Sequence, residues 1–162
     1  MVHTELTDDE RLTAIGLFAE AFGGLTARFA AQLAEHQLAP VEFEVLLRLS
    51  RSPGGQLRMT DLSAQTTLTT SGVTRVIDRL NRDGLVCRRA CPTDRRSWYA
   101  VITADGRKRL DAVLPGHLAL IEEWFIGRLD GDQLTAMIDA LRTVRDAVRP
   151  DATAGSALPS GE

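Results

Sequence analysis

The chain is poor in the residues that carry covalent and metal chemistry. Among 162 residues there are two cysteines and three histidines. Cys87 and Cys91 are too few for a disulfide framework, and both are expected to stay reduced. Neither has a histidine at ligand spacing, which argues against a zinc site. His3, His36 and His117 are far apart in sequence, so surface or cap roles are expected of them and no metal is. No run of eighteen apolar residues occurs, and the opening MVHTELTDDERL lacks both the basic start and the apolar segment of a signal peptide. A cytoplasmic protein with no membrane partner is expected. GxGxxG, P-loop, GxSxG and HExxH patterns are missing, and SPGGQ has the spacing of a short turn, not of a phosphate cradle. No enzyme activity and no cofactor are therefore expected.

What is present is an uneven distribution of charge. The formal net charge is −3. Residues 51–109 nevertheless hold twelve basic residues against five acidic, a balance of +7, and the remainder holds seven against seventeen, or −10. A basic segment in an acidic frame is the footprint of a docking surface for a polyanion, with the frame kept soluble and unattractive to it.

Periodicity supplies the architecture. Residues 7–36 carry Leu12, Ile15, Phe18, Phe22, Leu25, Phe29 and Leu33 at steps of three and four, behind the acidic start Asp8, Asp9 and Glu10. The spacing predicts one helix, long enough that its surplus apolar stripe needs a second chain or a distant segment as cover. Pro40 fits a first helical position for a second helix bearing Phe43, Leu46, Leu47 and Leu49, which ends before RSPGG. A third is expected from an N-cap at Thr60 through DLSAQT, and a fourth from a cap at Thr69 or Thr70 to the stop at Gly84.

The fourth helix has two stripes: Val73, Val76, Ile77 and Leu80 on one side, and Arg75, Asp78, Arg79 and Arg82 on the other. From Leu85 the period changes. LVCRRA and SWYAVI, flanking CPTDRR, predict a two-stranded hairpin with a turn around Pro92, Thr93 and Asp94 and basic residues at its tip. Thr103 caps a helix over 104–129 that Pro115 is expected to bend, and Asp130 with Gln133 forms a capping box for a last helix carrying Leu134 to Val148. The expected organisation is one domain over 1–149, with 7–36 and 104–149 as assembly helices and 40–103 as a central module. A disordered tail is expected over 150–162. Trp98 and Trp124 are expected to be packing residues.

Two short helices followed by a basic hairpin make a winged helix-turn-helix. The fold class is mainly α with a small β-hairpin wing. The candidate interface follows from groove geometry. Thr70, Ser71 and Gly72 are small enough at the leading end of the fourth helix to let it enter the major groove, Thr74 and Arg75 reach base edges or phosphates, and Arg79 and Arg82 meet phosphates. Arg95 and Arg96 at the hairpin tip suit a narrow minor groove. Asp94 is expected to aim Arg96 or Arg88 by a charge-assisted bond, which completes the set.

The stretch GLVCRRACPTDRRSWYAVIT resembles the MarR family signature, in which a wing written Asp, any residue, Arg precedes a Leu-Thr pair that opens a helix; here these are Asp94, Arg96, Ile102 and Thr103, with isoleucine in place of leucine. LTTSGVTRVIDRLNRDGLV resembles that family's recognition helix, and the helix order matches over residues 7–149. The resemblance implies a homodimer with interlocked first and last helices, two recognition helices in successive major grooves of pseudo-palindromic double-stranded DNA, and a repressor released by a small aromatic or phenolic effector or by oxidation. The effector's pocket residues stay open. The alternative is a winged-helix protein-interaction module, or an activator or competitor without an effector. A sensing role for Cys87 and Cys91 is weighed against the simpler reading that Cys87 is a small strand residue facing the core.

Overall fold

The computed structural model describes residues 7–94 and 96–152. Arg95, His3 and the expected tail from residue 153 onward lie outside the described residues. The elements are α1 (Glu10–Glu35), α2 (Pro40–Ser50), a 3-10 turn (Pro53–Gly55), β1 (Gln56–Arg58), α3 (Met59–Gln65), α4 (Thr70–Arg82), β2 (Val86–Ala90), β3 (Trp98–Ile102), α5 (Ala104–Trp124), a second 3-10 turn (Ile126–Arg128) and α6 (Gly131–Val148).

Helix ends follow side-chain chemistry. Asp9 caps α1 by accepting the Arg11 N–H at 2.8 Å, and Asp130 with Gln133 forms the expected capping box at α6. Two expectations are corrected. Thr60 is not a cap: α3 starts at Met59, after an Arg58 N-cap that makes no side-chain bond, and Thr60 sits inside the first turn. α5 stops at Trp124 instead of 129, where Phe125 leaves helical geometry. Gly127 in the following turn lies so close to the Glu122 carbonyl that an added Cβ would be 2.6 Å from its oxygen, a bend that brings the chain back to the Asp130 cap. α5 continues through Pro115 as one helix.

The sheet has one strand more than the hairpin expected. Its order is β1-β3-β2, all antiparallel, with Leu57 opposite Ala100 and Arg88 opposite Ala100 on the other side. β1 is three residues long, too short to show a period, and it becomes a strand only because β3 offers it a free edge.

The core gathers Leu33 of α1, Phe43, Val45, Leu46 and Leu49 of α2, Leu62 of α3, the apolar stripe of α4, Val86 and Ala100 of the sheet, and Leu110 and Val113 of α5. α4 shows why packing decides here. It contains Gly72 and several β-branched residues, costing up to about 1 kcal/mol for glycine and less for each of the others. Four apolar side chains, Val73, Val76, Ile77 and Leu80, are each buried, at about 1.5–3 kcal/mol per side chain, which outweighs that deficit.

The wing is stitched to α5 at one close approach. Gly84 takes a left-handed conformation, φ 74°, to leave α4, and its carbonyl accepts the Thr103 hydroxyl at 2.7 Å. The same hydroxyl caps α5 by accepting the Gly106 N–H at 3.0 Å. A Cβ on Gly106 would lie 2.1 Å from the Leu85 carbonyl oxygen, so only glycine lets α5 start this near the strand.

Candidate nucleic-acid interface

α3, the turn over residues 66–69 and α4 form the helix-turn-helix, and one buried hydroxyl shapes its turn. Thr66, 1 % exposed, donates to the Leu62 carbonyl at 2.6 Å, ending α3, and accepts the Leu68 N–H at 3.4 Å. Thr69 then caps α4, accepting the Gly72 N–H at 3.1 Å. Sequence reading missed Thr66, because a threonine after a helix looks like any polar turn residue until its burial is seen. Arg149, at the far end of α6, donates to the carbonyls of Ala64 (3.3 Å) and Thr66 (2.6 Å), tying the last helix to this turn.

The outward line of α4 is Ser71, Arg75, Asp78 and Arg82, spaced i, i+4, i+7, i+11, and all four are exposed. Thr70, Thr74 and Arg79 flank it and are exposed too. Gly72 is half-buried and faces its own turn: a Cβ there would lie 3.2 Å from Thr69 Oγ1 and 3.5 Å from Leu68 Cβ. The hydroxyls have local partners, Thr70 with Ser63 at 3.4 Å, Ser71 with Thr69 at 3.2 Å, and Thr74 donating to the Thr70 carbonyl at 3.2 Å.

The arginines divide into two groups. Arg79 Nε is 2.6 Å from Glu42 Oε1, and Arg88 Nη2 is 2.7 Å from Asp78 Oδ1. Arg75, Arg82 and Arg96 are exposed as well, and among the described residues none of the three is in an ion pair.

In the wing, Asp94 aims neither Arg96 nor Arg88. Its Oδ1 accepts the Arg96 backbone N–H at 2.9 Å and its Oδ2 accepts the Ser97 hydroxyl at 2.5 Å, while Arg88 goes to Asp78. A short carboxylate two residues before a turn N–H closes an Asx-turn before it can reach a distant side chain. These bonds, with the Ser97 hydroxyl first, hold the Asp94 carboxyl below the usual carboxylate range, so it stays ionised as a turn lock.

Cys87 does not face the core as expected. Cys87 is exposed on β2 and Cys91, at the strand end, is buried. The Thr93 hydroxyl 3.3 Å from the Cys91 sulfur, then backbone N–H groups of Thr93 and Asp94, bring the Cys91 thiol down to about 7 against the effect of burial. Four residues of strand span about 13 Å, beyond the roughly 7 Å within which two Cα atoms can be bridged, so the two cannot form a disulfide with each other. Among the described residues no group of three or more His, Cys, Asp or Glu is placed to hold a metal.

His117, 8 % exposed, lies between the rings of Phe29 (4.8 Å) and Phe43 (4.5 Å), with its Nδ1 3.2 Å from Gln32 Oε1. Trp124 is covered by Arg28, whose guanidinium is 3.8 Å from the ring centroid, whereas Trp98 is 48 % exposed. A cavity of about 650 Å³ opens between α1, α2, the helix-turn-helix turn and α6, lined by Phe18, Phe22, Arg48, Thr66, Leu141 and Arg149 among others. Among the described residues no helix is long and apolar enough to cross a membrane.

Comparison with known proteins agrees with this architecture. A family model described as MarR family matches residues 36–97, the helix-turn-helix and most of the wing. The uncharacterized HTH-type transcriptional regulator YkoM of Bacillus subtilis (strain 168) is 32% identical over 146 residues, covering 88% of this chain and 92% of that protein. Among solved structures, AbsC, a MarR family transcriptional regulator from Streptomyces coelicolor, superposes with a TM-score of 0.83 at 31% identity, covering 88% of this chain and 96% of that one. Sco3205, a MarR family regulator from the same organism solved in complex with DNA, gives 0.82 at 29% identity, over 87% and 89% of the two chains. With a winged helix-turn-helix carried between long flanking helices and relatives matching along nearly its whole length, the chain belongs to the MarR family of DNA-binding transcriptional regulators.

Proposed function

We propose that the protein is a homodimeric, sequence-specific repressor that binds pseudo-palindromic double-stranded DNA and is released by a small-molecule effector. The observation that carries the reading is the outward line of α4, where Ser71, Arg75 and Arg82 stand clear of the core beside an exposed wing. In this reading Thr70, Ser71, Thr74 and Arg75 enter the major groove, Arg82 meets phosphate, and the wing tip with Arg95 and Arg96 enters the minor groove. Two recognition helices about 34–36 Å apart would fit one turn of duplex.

The dimer is supported by the apolar residues left uncovered on α1 and α6: Leu12, Ile15, Phe18, Phe22, Ile138, Leu141, Val144 and Val148 are all exposed. The effector reading draws on the cavity between α1, α2, the turn and α6. Its wall includes Arg149, which also holds the Thr66 carbonyl, so an occupant there would act on the turn that sets α4. An effector weakens DNA binding only as far as it prefers the non-binding arrangement.

The test is DNA affinity across a salt series, for the wild type and Arg96→Ala, on the duplex upstream of the protein's own gene. Affinity should fall steeply between about 50 and 200 mM salt, and Arg96→Ala should weaken binding with the dimer intact. Affinity that ignores both salt and Arg96 would sink the reading.

A further inference from the structure

Neighbouring residues of the recognition helix are tied to different elements. Asp78 takes Arg88 of β2, and Arg79 gives its Nε to Glu42 of α2. The second pair has the most buried carboxylate among the ion pairs of the described residues, with the Glu42 side chain 7 % exposed. Its other oxygen is also used: Oε2 accepts the Ala39 N–H at 2.7 Å, at the start of α2.

That start is a structural corner. α1 ends at Glu35, Gln37 turns left-handed at φ 57°, and Leu38 returns its N–H to the Leu33 carbonyl at 3.1 Å. Arg109 of α5 holds the same corner by donating to the His36 carbonyl at 3.0 Å. Glu42 therefore joins α4 to the junction between the long helices and the reader.

On the helix, Arg79 is one step off the outward line and leans to the α2 flank. A buried carboxylate is tolerated because it is paired and hydrogen-bonded. Moving Arg79 onto a DNA phosphate would strip Glu42 of its charge partner and leave a buried anion uncompensated. A contact to a solvated phosphate recovers less than that loss.

We infer that Glu42 and Arg79 are positioning residues, a strut that sets α4 against the α1–α2 corner, and that the guanidinium groups of α4 that neutralise phosphate are Arg75 and Arg82. The inference rests on the DNA-binding reading above.

A duplex selected by the wild-type protein from a random-sequence pool serves as probe. Affinity is measured by fluorescence anisotropy over a salt series for wild type, Arg75→Gln, Glu42→Gln, Arg79→Gln and the Glu42→Gln/Arg79→Gln double variant, each checked for native circular dichroism. Arg75→Gln is expected to flatten the slope of log affinity against log salt by about 1 per subunit. Glu42→Gln and Arg79→Gln are each expected to weaken binding about two- to thirty-fold at wild-type slope, with the double variant no weaker than the worse single. If Glu42→Gln does not fold, Arg79→Gln, altered at a half-exposed site, decides by its slope alone. Arg79→Gln flattening the slope as Arg75→Gln does, or a folded Glu42→Gln binding like wild type, overturns the strut. A pool from which the wild type retains no duplex overturns the DNA reading itself.

Discussion

In α4 the apolar positions Val73, Val76, Ile77 and Leu80 are at most 5% exposed; in α1, Leu12, Ile15, Phe18 and Phe22, set at the same three- and four-residue steps, are 52–60% exposed. The contrast continues within α1, whose last turns are covered: Leu33 is 2% exposed and Phe29 packs on His117. Periodicity locates a helix and its sticky face, but says nothing about which atoms cover it. For α4 and the end of α1, the cover is the same chain. For the first half of α1, Phe18 and Phe22 stack on each other, 6.2 Å apart, and line the open cavity beside α6.

The sharpest way to break this comparison is to cut both stripes. Ile77→Ala removes a fully buried side chain and should cost about 2–5 kcal/mol of protomer stability, read from the chemical denaturation midpoint. Phe22→Asp should leave protomer stability within about 0.5 kcal/mol and weaken self-association by about thirty-fold or more, read by sedimentation equilibrium. If Phe22→Asp unfolds the protomer as Ile77→Ala does, the covered and uncovered stripes are not different in kind.

Sequence legibility follows the same division. The helix-turn-helix was readable because each part has a local signal: a threonine cap at Thr69, a two-sided α4, a glycine stop at Gly84 and a change of period into β2. β1 was not, since its identity comes from pairing with β3, some forty residues away. The candidate arginines were readable as a set but not as individuals. Nothing in the spacing of Arg75, Arg79, Arg82 and Arg88 says that Arg79 faces the buried Glu42 or that Arg88 faces Asp78. Asp94 misled in the opposite direction, because its partners are the Arg96 backbone N–H and the Ser97 hydroxyl, two and three residues away.

The smallest expected effect lies where the covered part of α1 meets α2 and α5. His117 donates Nδ1–H to Gln32 Oε1, since the Gln32 amide is itself committed to the Val113 carbonyl at 3.2 Å. Two phenyl rings lie against it, and burial lowers its pKa from the ordinary value. The unfolded chain then takes up a proton near pH 6.5 that the folded chain resists. Stability is full above that pH and declines as pH falls through about 6.5 toward the lower folded value, by at most about 1.4 kcal/mol per pH unit. His117→Leu removes the titration while keeping the site apolar, so its denaturation midpoint should fall less than the wild type's from about pH 7 to about pH 5, the window that brackets the free-histidine pKa. Parallel pH profiles for the two proteins would mean that His117 is as well solvated folded as unfolded, and that the covered end of α1 is more open than its packing indicates.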